Sequence, residues 1–168
     1  GNTWVRSLIV SLLYSENGIF NFKLLEQILQ FPDKRYFLKF TKDIGNLEII
    51  KKYWISAQKE INKDRKLRFF KTHHINCTIG KDHFTDKKNT LGTIYIVRDP
   101  RNLITSLKDH TDISYEEALK FMTDKDTILY DIDSGDYDAT HFIGSWSDHY
   151  KSWTNNSDFK TIVIRYED

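Results

Sequence analysis

A chain of 168 residues corresponds to one domain, and a hydrophobic fraction of 39% with 14% aromatics supplies a folded core rather than a disordered chain. A net charge of +1 gives no overall pull toward nucleic acid or a membrane surface, so any recognition of phosphate has to come from local residues. The single cysteine, Cys77, has no partner for an internal disulfide and fits a reducing compartment such as the cytoplasm, and no apolar run approaches the length of a membrane span.

Trp4, Val5, Leu8, Ile9, Leu12 and Leu13 recur at helical spacing, which predicts a helix at the start of the chain, broken at Asn17-Gly18. Residues 22–29 read as a second, short helix. Leu47, Ile50, Trp54, Ala57 and Ile61 predict a long amphipathic helix. Basic residues between Lys59 and Lys71 read as a solvated face. Residues 67–72 and 92–97 are expected as strands, and a helix follows from Pro100 to about His110. Ser114 with Glu117 three residues later is a capping box, predicting a helix over residues 115–123. Residues 131–138 read as a polar loop. Trp146, Tyr150 and Trp153 line one face of a further helix, as core rather than as a ligand platform, and residues 161–165 form the last strand. Strands alternating with helices imply an α/β fold with a mostly parallel sheet flanked by helices. Because the chain opens directly on a helix at Gly1 and closes at Tyr166-Glu167-Asp168 after a strand, the expectation is a single truncated domain over 1–168 with its first strand upstream.

Three segments carry chemistry. Gly1-Asn2-Thr3-Trp4 is a glycine turn feeding a helix N-terminus, where free N–H groups and the helix dipole suit a phosphate or sulfonate. Thr3 adds a hydroxyl and Trp4 a flat face for a base; the plainer alternative is a capped helix with a core tryptophan. Lys71-Thr72-His73-His74 ends a strand, the edge at which α/β sheets bind ligands. A neutral His73 there suits a general base, and Lys71 suits a charge developing during group transfer. Arg98 closes the strand of residues 92–97, followed by the N-cap Asp99 and by Pro100 at the first helical position, with Ser106 two turns along the helix. An arginine beside a helix N-terminus is an anion site. Taken singly, each of the latter two segments also reads as structure: a satisfied histidine, a salt bridge, a helix serine.

Together these motifs resemble the sulfotransferase family that uses 3′-phosphoadenosine 5′-phosphosulfate. Gly1, Thr3 and Trp4 match the second half of its 5′-phosphosulfate loop, Lys71-Thr72-His73 its catalytic strand end, and Arg98 with Ser106 its 3′-phosphate grip. Gly144-Ser145-Trp146 and Tyr166-Glu167-Asp168 also recur in the family, in the same order. The Gly-Asn-Thr-Trp variant looks more like bacterial members. The resemblance implies a P-loop-like three-layer fold and transfer of a sulfuryl group to a hydroxyl or amine by in-line displacement. It implies His73 as base with Lys71 beside it, and Gly1, Asn2, Thr3, Trp4, Arg98 and Ser106 as the donor site. It also implies a small-molecule, lipid or carbohydrate acceptor, without nucleic acid and without a metal. The departures are a family lysine that would lie before Gly1, an Arg-Lys-Gly segment that would lie beyond Asp168, and Ser147 where many animal members place tyrosine.

Other readings are weaker. A P-loop kinase would end its loop in Gly-Lys-Ser/Thr, whereas Gly1 is followed by Asn2-Thr3. A non-catalytic nucleotide-binding protein of the same fold is set against the presence of Lys71, His73, Arg98 and Ser106. His73, His74 and Cys77 as zinc ligands lack a fourth partner, and adjacent strand residues point to opposite sides. Residues 131–138 have the look of a calcium loop, but the glycine falls one position early and Phe142 stands at the closing glutamate position, so a solvated acidic loop is expected.

Overall fold

The computed structural model describes residues 2–131, 133 and 137–167. Gly1 and Asp168 of the motifs above, and Ile132, Ser134, Gly135 and Asp136 of the acidic segment, lie outside these described residues. The chain opens with α1 (Asn2–Tyr14), as its spacing predicts. Its apolar stripe, however, faces outward: Trp4, Leu8, Leu12 and Leu13 are all exposed, and the one buried side chain is Val10. Arg6, one turn before Val10, sets the inward face by donating to the carbonyls of Leu25 and Ile28 at 3.1 and 3.0 Å. Spacing alone marks a helix but not which neighbour its stripe meets.

Residues 22–29 do not form an α-helix. Phe22–Gln27 is a 3-10 turn, and Leu29–Gln30 leaves it as β1, drawn into parallel pairing with β2 (Phe70–Lys71) through Leu29↔Phe70 and Gln30↔Lys71. The strand expected over 67–72 is cut to those two residues, because β1 offers a partner of only that length and Leu67 is left exposed. Asp33 caps the short α2 (Lys34–Phe37) by accepting the Arg35 N–H. The long helix of residues 47–61 is divided into α3 (Leu47–Ile50), a 3-10 turn (Lys51–Tyr53) and α4 (Trp54–Ile61). The division leaves the predicted apolar face intact: Ile50, Trp54 and Ala57 are fully buried, and Tyr53 stacks on Phe40 at 5.4 Å.

Two antiparallel hairpins were not legible in the pattern: β3 (Thr78–Ile79) with β4 (Asp82–His83), and β6 (Ile128–Asp131) with β7 (Tyr137–Phe142). The second corrects the acidic-loop expectation at its ends. Asp131 closes β6, and Asp138 is a buried strand residue that accepts the Lys34 backbone N–H and pairs with its ammonium at 3.5 Å. Between the hairpins, β5 (Gly92–Val97) pairs in parallel with β8 (Lys160–Arg165), register Gly92↔Lys160 to Val97↔Arg165. Helix α5 (Pro100–Thr111) starts on Asp99 and Pro100 as expected, α6 (Tyr115–Thr123) on the Ser114/Glu117 capping box, and α7 (Trp146–Thr154) on Ser145.

The result is a mixed helix-and-strand architecture. Its strands pair in four two-stranded pieces, two parallel and two antiparallel, rather than joining into one continuous sheet among the described residues. One core of Phe31, Phe37, Ile44, Ile50, Trp54, Ala57, Phe84, Ala139 and Trp153 holds α3, α4, α7 and the hairpins together. Cys77 packs against this core, and burial pushes its thiol up to about 12. It is therefore protonated near neutral pH, and iodoacetamide is expected to alkylate it slowly in the folded protein and rapidly after unfolding. Equal rates in both states would show an open thiol.

Candidate active site

The end of β2 leads into Thr72, His73 and His74, which leave the pairing and so need partners for their peptide groups. Helix α7 supplies them for two carbonyls and for the Asn76 N–H just beyond. His149 Nε2 lies 3.2 Å from the His73 carbonyl, Trp153 Nε1 donates to the His74 carbonyl at 3.1 Å, and Ser152 Oγ accepts the Asn76 N–H at 3.1 Å. These three residues share one face of the helix at i, i+3 and i+4. The helix can start this close because Gly144, at φ +65°, makes the turn before Ser145, and a Cβ there would meet Ile75 Cδ1 at 3.1 Å. That backbone region is also strained for other residues.

His73 and His74 part ways in environment. His74 is fully buried, stacks on Phe84 at 4.0 Å and donates through Nδ1 to the Ile75 carbonyl at 2.6 Å; burial holds its pKa well below the usual value, so it is neutral. His74 is thus a core residue. His73 is only half-buried, with the rings of Tyr137 and His141 at 5.8 and 6.3 Å. Tyr137 and His141 come from one face of β7, and His141 meets the Gln30 amide at 3.3 Å, so the surroundings of His73 are aromatic and polar. Lys71 shares the β2 end, paired in register with Gln30.

The second site lies at the end of β5. Arg98 and Ser106 line one open cleft of about 590 Å³ with Asn102, Thr105, Asp109 and His110. Arg98 stacks its guanidinium over Tyr166, 4.7 Å from the ring centre, and the Tyr166 N–H bonds to the Val97 carbonyl at 2.8 Å. Its Nε is buried and has no hydrogen-bond partner among the described residues. A buried, always-charged donor without an acceptor, beside a serine hydroxyl and a helix start, is suited to an anion. Asp99 is held at about 2 by hydrogen bonds from the Arg101 side chain and backbone, so the N-cap is ionised and engaged with Arg101.

Of the third predicted segment, Thr3 and Trp4 are exposed in the first turn of α1, and Asn2 begins that helix with its Oδ1 buried and without a hydrogen-bond partner among the described residues. Sequence reasoning missed His149 and Tyr95. Tyr95 Oη lies 2.9 Å from His149 Nδ1. Strand β5 thus reaches toward the His73 segment through Tyr95 and leads to the Arg98 cleft three residues later. The signal for this pair was a tyrosine in an otherwise aliphatic strand and a histidine one helical turn before Trp153.

The mixed helix-and-strand fold thus carries a half-buried histidine at one strand end and an arginine-lined cleft beside the start of a helix at another. Residues 1–168 match the sulfotransferase domain family, and the chain belongs to that family of transferases. No curated protein matches the chain. Among the described residues, no helix is long and apolar enough to cross a membrane.

Proposed function

We propose that the protein transfers a sulfuryl group from 3′-phosphoadenosine 5′-phosphosulfate to a hydroxyl or amine acceptor, with His73 as general base. The observation that carries this reading is the Arg98–Ser106 cleft, whose buried guanidinium nitrogen lacks an acceptor, in a chain of the sulfotransferase family. The acceptor oxygen or nitrogen attacks sulfur while the bond from sulfur to the bridging phosphate oxygen breaks. The acceptor proton passes to His73, and the products are the sulfated acceptor and adenosine 3′,5′-bisphosphate. Sulfuryl transfer is expected to share the loose transition state of phosphoryl transfer, so the residues act mainly by positioning and charge. Lys71 and Gly1, with Asn2, Thr3 and Trp4 of the first turn of α1, are assigned to the 5′ end, where charge builds on the leaving oxygen. Arg98 and Ser106 are assigned to the remote 3′-phosphate, where binding energy becomes alignment. The acceptor is a small molecule, lipid or carbohydrate, and residues 1–168 are part of a single domain of a bacterial cytoplasmic enzyme that needs no metal.

Calorimetric titration with adenosine 3′,5′-bisphosphate and with adenosine 5′-monophosphate tests the donor assignment. The 3′-phosphorylated ligand is expected to bind more tightly. Arg98→Ala should weaken it by roughly 1.5–3 kcal/mol, the range for a hydrogen bond to a charged group, and leave the monophosphate unaffected. Equal affinity for the two ligands in the unsubstituted protein would remove the assignment.

A further inference from the structure

We propose that His149 and Tyr95 are positioning residues for the His73 base, acting as a two-bond relay in which the His73 carbonyl fixes the tautomer of His149 and Tyr95 holds its ring in place. This inference rests on the reading of His73 as base. The peptide unit joining His73 to His74 is held at both ends: its carbonyl faces His149 Nε2 at 3.2 Å, and its N–H donates to Thr72 Oγ1 at 3.1 Å. Fixing that plane fixes the backbone from which the His73 side chain projects, and none of these bonds uses the His73 imidazole.

A carbonyl oxygen only accepts, so the bond from His149 requires its proton on Nε2. A neutral imidazole then presents a lone pair at Nδ1, and Tyr95 Oη, 2.9 Å away, donates into it. Both groups are in the right state: burial lowers the pKa of His149 against the opposing pull of the His73 carbonyl, and burial with nearby Tyr150 pushes Tyr95 up to about 12. In the opposite tautomer a nitrogen lone pair would face the His73 oxygen, and the peptide unit would lose its partner. Trp153 and Ser152, the neighbouring anchors on α7, have no tautomer to fix, because an indole N–H only donates and a hydroxyl, like that of Tyr95, rotates to suit.

The test uses the intact protein. Two-bond proton–nitrogen correlation of labelled histidines is expected to show His149 as the Nε2–H tautomer, and Tyr95→Phe to keep that tautomer while shifting the Nδ1 resonance as it loses its donor. Release of sulfate from 3′-phosphoadenosine 5′-phosphosulfate, with water as acceptor, should fall roughly 10- to 100-fold in kcat in Tyr95→Phe, the scale of a misplaced reacting group, with KM for the donor unchanged. His149→Gln, which keeps an N–H donor, should retain more turnover than His149→Leu. An Nδ1–H tautomer in the unsubstituted protein, or an unchanged kcat in Tyr95→Phe, would overturn the relay. A His73→Ala protein turning over at the original rate would remove the base reading instead, while the tautomer spectrum still decides whether the relay exists.

Discussion

His73→Ala is expected to lower turnover by about 10²–10⁴-fold while leaving the affinity for adenosine 3′,5′-bisphosphate in place. The range is that of a positioned general base, equivalent to about 3–5 kcal/mol of barrier at 1.36 kcal/mol per decade. Affinity is expected to persist because the residues assigned to the 3′-phosphate sit on other elements, Arg98 at the end of β5 and Ser106 on α5. The half-buried side chain of His73 also contributes little to the core, so folding should be unaffected. The neighbouring His74 makes the contrast sharp. It is stacked on Phe84 and enclosed by Trp54, so His74→Ala should act through stability rather than chemistry. Steady-state kinetics with calorimetry on the same preparation separates the two effects. Full turnover in His73→Ala would leave the base to another group.

Trp54→Ala is expected to destabilise the fold by roughly 3–5 kcal/mol, the cost of truncating a large buried aromatic. Trp54 is fully buried, with its ring edge-on to Phe84 at 5.5 Å and to His74 at 4.7 Å, and is flanked on its own helical face by Ile50 and Ala57. A loss of that size is a large share of the roughly 5–15 kcal/mol available to a domain. Its indole N–H is buried and has no hydrogen-bond partner among the described residues, so the expected loss is packing. Trp54→Phe keeps most of the aromatic contact and removes an unsatisfied donor, and it should cost much less than the alanine substitution. Urea unfolding at constant slope measures both. Equal losses for phenylalanine and alanine would show that the indole nitrogen is engaged after all. Because Trp54 packs on His74, the alanine variant should also loosen the segment that carries His73.

The legible parts of this protein are those whose causes lie within a few residues. Asp99-Pro100 starts α5, and Ser114 with Glu117 starts α6, because each cap satisfies N–H groups of its own first turn. Strands β5 and β8 were readable as β-branched runs. The face of Ile50, Trp54 and Ala57 was readable even though the helix that carries it is divided, since burial follows spacing and not the details of the backbone bonds. The short strands β1, β3 and β4 were not readable, and β2 was readable only as a longer run, because two-residue strands exist only where a partner lies alongside and have no periodicity of their own. Hairpin β6–β7 was hidden behind the acidic sequence of residues 131–138, which masks the buried run from Asp138 to His141.

The candidate site divides along the same line. Lys71, His73, Arg98 and Ser106 were marked by residue type and by position at strand ends and on a helix, which the sequence by itself determines. The tertiary structure alone decided that His73 is half-open while the adjacent His74 is enclosed by Phe84 and Trp54. It also decided that His149 and Tyr95, 76 and 54 residues away from the groups they meet, stand behind the His73 peptide. The physical reason is that caps and strand ends are settled by local hydrogen bonds and backbone sterics, whereas burial and the partner of a given imidazole depend on which distant surfaces pack together.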